Sequence, residues 1–376
     1  MNKINNILCV HQGYELYGSD RSFVLSVSIL KKIYPNSIID VIIPKEGQIK
    51  KILEPLRCNI LINKDLAILR KKDLRSNPLK LLYKIIKGTY NAIENAKKYD
   101  LIYVNTIVVL DYILASRFIK KVNILHVREI PTGFQKLVFS KILSFSKMKI
   151  IFNSKNTAKS YNLSKTHVAT TILNGVRGYK NQINNINDNI FKILIIGRLT
   201  KWKGQMLLLE AISKLVLKNK HKIKVRIVGD VFEDQIAYKN SLISYVKKNN
   251  LQNIVTFKSF TNDPEKEFSW SNIIVVPSIK PEPFGRVAIE AMSIGRCVVA
   301  ANHGGLKEII SHKINGVLFE HNNVDSLISE LNNVMDNPEY ILKYGLNGKI
   351  TFDENFSREV YEQKFRITIE RYTNKL

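Results

Sequence analysis

At 376 residues the chain exceeds the ~250–300 residues that one hydrophobic core usually holds, so two domains are expected. The hydrophobic fraction of 45% and charged fraction of 24% are typical of a globular protein. No apolar run approaches the ~18–20 residues that a membrane span needs. The net charge is +26, and residues 1–178 carry +19 of it, from 30 Lys and Arg against 11 Asp and Glu. The N-terminal half is therefore expected to face an anionic partner.

Short apolar segments alternate with amphipathic ones in the first half, which indicates a parallel α/β architecture. The predicted strands of this half are Ile4–Val10, Ile38–Ile43, Asn59–Ile62, Leu101–Val104, Asn123–His126 and Lys149–Phe152. The predicted helices include Asp20–Ile33, Pro78–Lys97 and Phe134–Lys147. Pro78 suits the first turn of its helix, where no backbone N–H is needed. The first domain is predicted to span residues 1–178.

The second half repeats this alternation after an asparagine-rich stretch with little apolar content, and residues 179–190 are therefore predicted to be a linker. The predicted strands are Lys192–Ile196, Lys224–Val228, Val255–Phe257, Ile273–Val276, Val298–Ala301 and Val317–Glu320. The second domain is predicted to span residues 191–355. Residues 356–376, with a helix over Phe356–Tyr372, are predicted to pack back on the first domain.

The strongest chemical signal follows the predicted strand Ile273–Val276. Gly285 is expected to begin a helix that runs to Ile294, and a helix N-terminus beyond a strand end offers N–H groups to a phosphate. Glu282 precedes this helix and Glu290 lies inside it, about 7.5 Å further along. This separation suits one carboxylate on the hydroxyls of a sugar and the other on those of a ribose. The spacing alone would fit a loop Glu and a solvated helix Glu, but the strand–loop–helix context favours a site.

A second signal is the basic loop Gly197–Gly204, which follows the predicted strand Lys192–Ile196. Glycine at a strand end lets the backbone approach a ligand. Arg198 and Lys203 would bring two cations to a diphosphate, and in a glycosyl transfer they would stabilise the charge on the departing nucleoside diphosphate. A basic loop on a basic protein is the alternative, which the neighbouring Glu motif makes less attractive.

Together these motifs resemble family 4 of the retaining glycosyltransferases (glycosyl transferases group 1), of the bacterial polysaccharide and O-antigen type. The resemblance implies the GT-B fold, with two Rossmann-like domains facing across a cleft. It implies that Glu282 contacts the donor sugar and that Glu290 contacts the ribose. It also implies that the backbone of Phe284, Gly285, Arg286 and Val287 contacts the sugar or the phosphates.

The first half adds weaker matches to the same family. Tyr17–Arg21 resembles its glycine loop, but Tyr17 replaces the commoner glycine, so close approach to a ligand is expected only at Gly18. His126 ends a strand where the family often has a histidine near the donor sugar, although a lone histidine there is more often structural. Arg128 and Glu129 are alternatives for its role.

His303 is expected only as a neighbour of the site. The chain has no Asp-x-Asp motif, no zinc-ligand spacing and no P-loop. The sequence therefore predicts no metal and no cofactor besides the donor substrate, a UDP-sugar or GDP-sugar.

The expected activity is transfer of a sugar to a glycan acceptor held by the N-terminal half, and the resemblance adds retention of anomeric configuration. The basic surface suggests a lipid-linked acceptor. The basic helices Pro78–Lys97 and Phe134–Lys147 could lie on an anionic membrane, although packing against the sheet explains their apolar faces equally well. Met1–Val10 does not resemble a signal peptide, so a cytoplasmic protein, peripheral on the inner face of the membrane, is expected.

Two rival functions share some of these features. A sugar-nucleotide epimerase would have the same two-domain layout but would need no acceptor. A nucleic-acid-binding protein would use the basic surface, yet it would leave the two Glu residues and the two cations unexplained, so no nucleic-acid partner is expected.

Overall fold

The computed structural model describes residues 4–69, 77–161, 163, 167–179, 190–218, 220–231 and 235–374. The chain divides into a first unit of residues Met1–Asn174 with Tyr361–Leu376, and a second unit of residues Gly175–Val360. The first boundary falls four residues before the predicted one, after residue 174 rather than 178. Most of the predicted linker, residues 180–189, lies outside the described residues.

The first unit is built on a parallel sheet of seven strands in the order β3-β2-β1-β4-β5-β6-β7. The central strands are mainly apolar and almost fully buried, as expected for a sheet covered by helices on both faces. The strands are β1 (Asn6–His11), β2 (Ile38–Ile43), β3 (Asn59–Ile62), β4 (Leu101–Asn105), β5 (Val122–Val127), β6 (Lys149–Phe152) and β7 (Ala169–Thr171).

Helices form a layer on each face of this sheet. The helices are α1 (Gly18–Ile33), α2 (Gln48–Leu53), α3 (Pro78–Ala96), α4 (Leu110–Ala115), α5 (Phe134–Phe145) and α6 (Lys155–Lys159), with a 3₁₀ turn at Glu54–Leu56. One hydrophobic cluster joins α1 and α2 to the sheet, and a second cluster joins α3, α4 and α5 to it.

The end of the chain contributes to the first of these clusters. Helix α14 (Arg358–Thr373) buries Tyr361 and Phe365 there. The hydroxyl of Tyr361 lies 2.9 Å from Oγ of Ser26 on α1. Within the described residues, 361–374 are therefore packed in the first unit.

The second unit has a parallel sheet of six strands in the order β10-β9-β8-β11-β12-β13. The strands are β8 (Ile190–Ile196), β9 (Lys222–Val228), β10 (Val255–Lys258), β11 (Ile273–Val276), β12 (Cys297–Ala301) and β13 (Val317–Phe319). The helices are α7 (Gln205–Leu217), α8 (Ile236–Lys248), α9 (Glu265–Trp270), α10 (Arg286–Met292), α11 (Leu306–Ile309), α12 (Val324–Asp336) and α13 (Pro338–Asn355), with a 3₁₀ turn at Lys201–Lys203.

Every predicted strand is present, and its ends lie within two residues of the predicted ones. The short edge strand β7 was not predicted, because its three residues are polar or small and are not fully buried. No helix of the described residues has the length and apolar character that crossing a bilayer requires.

Candidate functional site

The candidate site lies at the carboxyl ends of β8 and β11, the point in the second sheet at which the order of the strands reverses. From β8 the chain adds β9 and β10 on one side, and it then returns to add β11, β12 and β13 on the other. Ligands of open α/β sheets bind at such a switch point, because the loops after the two central strands diverge there. These loops hold residues 197–204 and residues 277–285.

The two loops are locked together through their backbones. Gly204 has φ +78°, and a Cβ at this position would lie 1.9 Å from the carbonyl oxygen of Pro277. The backbone N–H of Ile279 donates a 2.7 Å hydrogen bond to the carbonyl oxygen of Trp202. Only glycine allows this approach, so the loop after β8 sits at a fixed position against the loop after β11.

Lys203 and Glu282 form an ion pair between the two loops. Nζ of Lys203 lies 2.6 Å from Oε1 of Glu282, and the Glu282 side chain is only 8% exposed. The lysine side chain is 22% exposed, and its Nζ also lies 4.3 Å from the ring centroid of Trp202. The residues predicted to bind the diphosphate and the donor sugar are therefore in direct contact.

Two further side chains hold the Glu282 carboxylate in place. The hydroxyl of Ser278 donates a 2.6 Å hydrogen bond to the same Oε1. Nε2 of His303 lies 2.6 Å from the carbonyl oxygen of Ser278, so this nitrogen carries a proton and donates it. Burial, assisted by nearby His321, lowers the pKa of His303 below its ordinary value. A neutral His303 thus supports the loop that carries Glu282.

The diglycine after β12 packs directly beneath the Glu282 backbone. Gly304 has φ +61°, and a Cβ there would lie 2.5 Å from the carbonyl oxygen of Glu282. The N–H of Gly305 donates a 2.8 Å hydrogen bond to that same oxygen. The Glu282 backbone is consequently fixed from below by a surface without side chains.

The helix after this loop is shorter than predicted. It was expected over Gly285–Ile294, but α10 covers only Arg286–Met292. Its last turn tightens, because the N–H of Ile294 bonds to the carbonyl of Ala291 and the N–H of Gly295 bonds to that of Met292. Gly295, with φ +68°, then stops it.

Glu290 lies on α10 and is paired with an arginine of the same helix. A guanidinium nitrogen of Arg286 lies 3.1 Å from Oε1 of Glu290, and both side chains are less than one-fifth exposed, at 18% and 16%. The pair places a positive charge beside the Glu290 carboxylate.

The backbone around Arg198 is held by the neighbouring strand. The N–H of Leu199 donates a 3.0 Å hydrogen bond to the carbonyl of Asp230, which follows β9. The carbonyl oxygen of Arg198 accepts a hydrogen bond from the Gln205 side chain at 3.0 Å. Arg198 is half-buried in the same loop as Lys203.

His126 belongs to the first unit and is fully buried at the end of β5. Its Nδ1 lies 2.8 Å from the hydroxyl of Tyr103 and 3.2 Å from a guanidinium nitrogen of Arg128. Because Arg128 can only donate, Nδ1 accepts, and the ring proton lies on Nε2. Burial and the Arg128 charge hold the pKa of His126 well below its ordinary range. Nε2 has no hydrogen-bond partner within the part of the chain that the structure describes.

Arg128 lies at the centre of a buried polar network that the sequence did not reveal. Its Nε donates to Oδ1 of Asn105 at 2.6 Å, and another nitrogen donates to Oδ1 of Asn174 at 2.7 Å. Nδ1 of His11 lies 3.2 Å from the carbonyl oxygen of Asn105. The strands β1, β4 and β5 are neighbours in the sheet, and His11, Asn105 and Arg128 lie at or just after their carboxyl ends. Knowledge of the strand order would therefore have predicted that these three residues meet.

Gly18 and Glu129 lie in the segments that follow β1 and β5. Gly18 is the first residue of α1, and the carboxylate of Asp20 accepts the N–H of Tyr17 at 2.8 Å and Nε2 of His11 at 2.8 Å. Glu129 accepts the N–H of Ile107 at 3.3 Å. Of the two alternatives for the role of His126, Arg128 contacts that histidine, whereas Glu129 supports the turn after β4.

No group of three or more His, Cys, Asp or Glu side chains suited to a metal ion occurs within the described ranges.

Comparison with known proteins places the second unit near one family. Residues 177–351 match a family model described as glycosyl transferases group 1. An uncharacterized glycosyltransferase of Methanocaldococcus jannaschii is 30% identical over 185 residues, which are 47% of this chain and 42% of that protein. The lipopolysaccharide 1,2-N-acetylglucosaminetransferase of Salmonella typhimurium is 28% identical over 160 residues, 41% of this chain and 42% of that protein. The aligned part thus spans less than half the length of these two relatives.

Solved structures match nearly the whole chain. The crystal structure of Anabaena HepE in complex with UDP-glucose has a TM-score of 0.80, covers 97% of this chain and 99% of its own, and is 21% identical. This likeness shows the fold, which is the two-domain α/β GT-B fold.

Proposed function

We propose that the protein is a glycosyltransferase that moves a sugar from a UDP- or GDP-linked donor to a glycan acceptor, with retention at the anomeric carbon. The observation that carries this proposal is the Lys203–Glu282 pair, 2.6 Å apart at the switch point of the second sheet. It lies within residues 177–351, which match glycosyl transferases group 1. The HepE complex with UDP-glucose supports a nucleotide sugar as the donor class.

In the proposed donor complex the diphosphate binds to Lys203 and Arg198. A diphosphate carries more charge than one carboxylate, so it competes with Glu282 for the lysine ammonium. Glu282, still held by Ser278, then accepts hydrogen bonds from the hydroxyls of the sugar. Glu290 accepts those of the ribose, and the backbone of residues 284–287 contacts the sugar or the phosphates.

The chemical step is the departure of the nucleoside diphosphate from the anomeric carbon. Lys203 and Arg198 stabilise the negative charge that develops on the leaving oxygen, which is an electrostatic role that needs no metal ion. The departing phosphate accepts the proton of the acceptor hydroxyl, so we assign no covalent nucleophile. Where His126 contributes, Nε2–H is the atom it offers, because Nδ1 is held by Tyr103 and Arg128.

We propose that the acceptor is a lipid-linked glycan bound by the first unit, in bacterial polysaccharide assembly of the O-antigen type. The basic excess of residues 1–178 favours an anionic acceptor or surface. One relative is named as a lipopolysaccharide sugar transferase, which agrees with this acceptor class. The enzyme would then act on the cytoplasmic side of the membrane as a peripheral protein.

A panel of UDP- and GDP-sugars tests the proposal through protection against thermal unfolding. At least one nucleotide sugar is expected to raise Tm, and Lys203→Ala is expected to remove the effect. The bound donor is then incubated without an acceptor. Release of a free epimer would show the epimerase instead, and no protection by any member would contradict the proposal.

A further inference from the structure

Helix α3 of the first unit exposes a continuous apolar stripe. Its members fall in one sector of the helix and are between 54% and 77% exposed: Leu79, Leu82, Tyr83, Ile86 and Tyr90. The sequence left open whether this face packs against the sheet. The structure shows that it does not.

The opposite side of the same helix is the one that packs. Leu81, Ala92 and Ala96 are buried, and a Cβ on Gly88 would lie 3.3 Å from Cβ of Asp111. At about 100° per residue, the buried residues fall in one sector and the exposed apolar residues fall in a separate sector about 100° wide. The helix therefore has two apolar faces, and only one of them is covered by its own unit.

Helix α5 has the same arrangement. Phe139 and Leu143 are buried, whereas Phe134 is 78%, Leu137 is 53% and Phe145 is 46% exposed. The ring of Phe145 lies 6.3 Å from that of Phe118, another exposed aromatic side chain. These exposed residues again lie opposite the packed face of their helix.

Both stripes lie on the same side of the first sheet. Ala92 and Ala96 of α3, with buried residues of α4 and α5, belong to one hydrophobic cluster on that side, whereas α1 and α14 belong to the cluster on the other. The exposed faces of α3 and α5 consequently point away from the sheet on a common side. We call Leu79, Leu82, Tyr83, Ile86 and Tyr90, with Phe134, Leu137 and Phe145, the docking face.

Lysines lie beside the apolar stripe of α3. Lys80, Lys84 and Lys87 recur at helical spacing between the exposed stripe and the packed face. They line a cavity of about 580 Å³ together with Asn91 and other polar side chains. Two carboxylates, those of Asp65 and Asp111, also line it.

Two carboxylates in this region have partners of their own. Oδ2 of Asp111 accepts the backbone N–H of Ala67 at 3.0 Å, and the carboxylate of Glu94 on α3 is held by Lys97 at 2.6 Å. The three lysines outnumber the two carboxylates, those of Asp65 and Asp111, that line the cavity with them.

We propose that the docking face rests on a bilayer that contains anionic lipids. The apolar side chains enter the boundary between headgroups and acyl chains, the lysines bind lipid phosphates, and the cavity beside α3 receives a headgroup. Cations flanking an apolar stripe complement anionic lipid, whereas a protein partner would have to supply a matching acidic rim. The inference rests on the proposed function, because membrane binding would serve to bring the enzyme to a lipid-linked acceptor.

Vesicle sedimentation tests the docking face. The wild type is compared on vesicles of phosphatidylcholine alone and on vesicles with about a third phosphatidylglycerol. The combined variant Leu79→Ser, Leu82→Ser and Ile86→Ser is expected to lower binding to the anionic vesicles at least about tenfold. Its matched control replaces Leu217, Leu346 and Ile350, which are 85%, 52% and 56% exposed on the second unit, by Ser. This control is expected to bind like the wild type.

A charge variant tests the lysines separately. Lys80→Gln, Lys84→Gln and Lys87→Gln together are expected to lower binding to anionic vesicles by about fivefold per lysine, with no change on phosphatidylcholine. Equal wild-type binding to both vesicle types would overturn the proposal, as would an apolar variant that binds like the wild type. A concentration-dependent dimer that the apolar variant dissociates would also overturn it, because a second copy would then cover the face.

Nucleotide protection on the same variants separates this proposal from the proposed function. Protection by UDP or GDP is expected to be unchanged in the apolar and lysine variants, which also shows that they are folded. A protein that binds nucleotide but no vesicles contradicts only the docking face. Vesicle binding without nucleotide protection contradicts only the donor site.

Discussion

Nζ of Lys203 lies 2.6 Å from Oε1 of Glu282, although the two residues are 79 positions apart in the sequence. The contact exists because the loops after β8 and β11 meet at the switch point of the second sheet. The pair links the two roles that a nucleotide-sugar site must combine. In the proposed donor complex, an incoming diphosphate would take the ammonium, and the released carboxylate would become an acceptor for the sugar hydroxyls.

Removing either member of this pair is expected to abolish most activity. Lys203→Ala and Glu282→Ala should each lower kcat by about 10²–10³-fold, the usual cost of losing one charge-stabilising group. Lys203→Ala should also lower the free energy of unfolding by about 1–3 kcal/mol, because it leaves the nearly buried Glu282 without its counter-ion. Turnover with the donor identified by thermal protection is the measurement.

Lys201 supplies the matched control, since it is an exposed lysine of the same loop. Lys201→Ala should keep near-normal turnover. If Lys201→Ala and Lys203→Ala lose activity equally, general basicity of the loop would explain the effect and the pair would not.

Gly304 is expected to tolerate no side chain, because a Cβ there would lie 2.5 Å from the carbonyl oxygen of Glu282. Gly304→Ala combines the left-handed penalty of about 1 kcal/mol with overpacking of about 1–3 kcal/mol. Gly133→Ala is the control, since Gly133 also has a positive φ, +53°, but nothing lies within 4 Å of its Cβ position. Urea unfolding should show the larger loss for Gly304→Ala, together with weaker nucleotide protection. Equal losses would contradict the packing of this glycine against the loop.

Glu290 is expected to distinguish ribose from deoxyribose. If its carboxylate accepts the ribose hydroxyls, the wild type should bind the nucleoside diphosphate about tenfold more tightly than its 2′-deoxy form. Glu290→Gln should remove most of this preference, while Glu339→Gln, an exposed residue at the start of α13, should not. Calorimetric titration of each protein with both nucleotides gives the ratios. An unchanged preference for the ribonucleotide in Glu290→Gln would show that Glu290 does not bind the ribose.

His126 is expected to make stability depend on pH. Its pKa in the folded protein lies well below the ordinary value of 6.5, so the unfolded chain binds a proton more readily than the folded one. The contribution of neutral His126 to the free energy of unfolding is therefore fully present above about pH 6.5. It is lost as the pH falls below that value towards the pKa of His126 in the folded protein. The urea concentration at the unfolding midpoint of the wild type should decrease as the pH is lowered from about 8 to about 5.

The slope should be shallower in His126→Gln than in the wild type. His303, whose pKa is also lowered, accounts for part of the remaining slope. NMR of the wild type is an independent readout, and titration of the His126 ring near its ordinary pKa would contradict this assignment.

The strands and the main site residues could be predicted from the sequence because their signals are local. Strands of a parallel sheet covered on both faces are continuous apolar runs, and β2, β3, β6 and β11 have the predicted bounds. Glu282 and Lys203 stand out because each follows such a run. Their contact could not be predicted, because it depends on β8 and β11 being neighbours.

Other features depend on packing that no local pattern encodes. His303 supports the loop that carries Glu282 only because β12 lies beside β11. The sequence placed the end of α10 at Ile294, two residues too late. The tightened last turn before Gly295 depends on hydrogen bonds that the sequence pattern does not show. In α3, apolar residues occur on both sides of the helix, so periodicity could not decide which side faces solvent.

A crystal structure of the protein soaked with the nucleoside diphosphate that protects it best tests the donor site most directly. We expect the phosphates to lie within hydrogen-bond distance of Lys203 and Arg198. Lys203 should have separated from Glu282, and the ribose should lie beside Glu290. A nucleotide bound elsewhere, with the Lys203–Glu282 pair unbroken, would contradict this expectation.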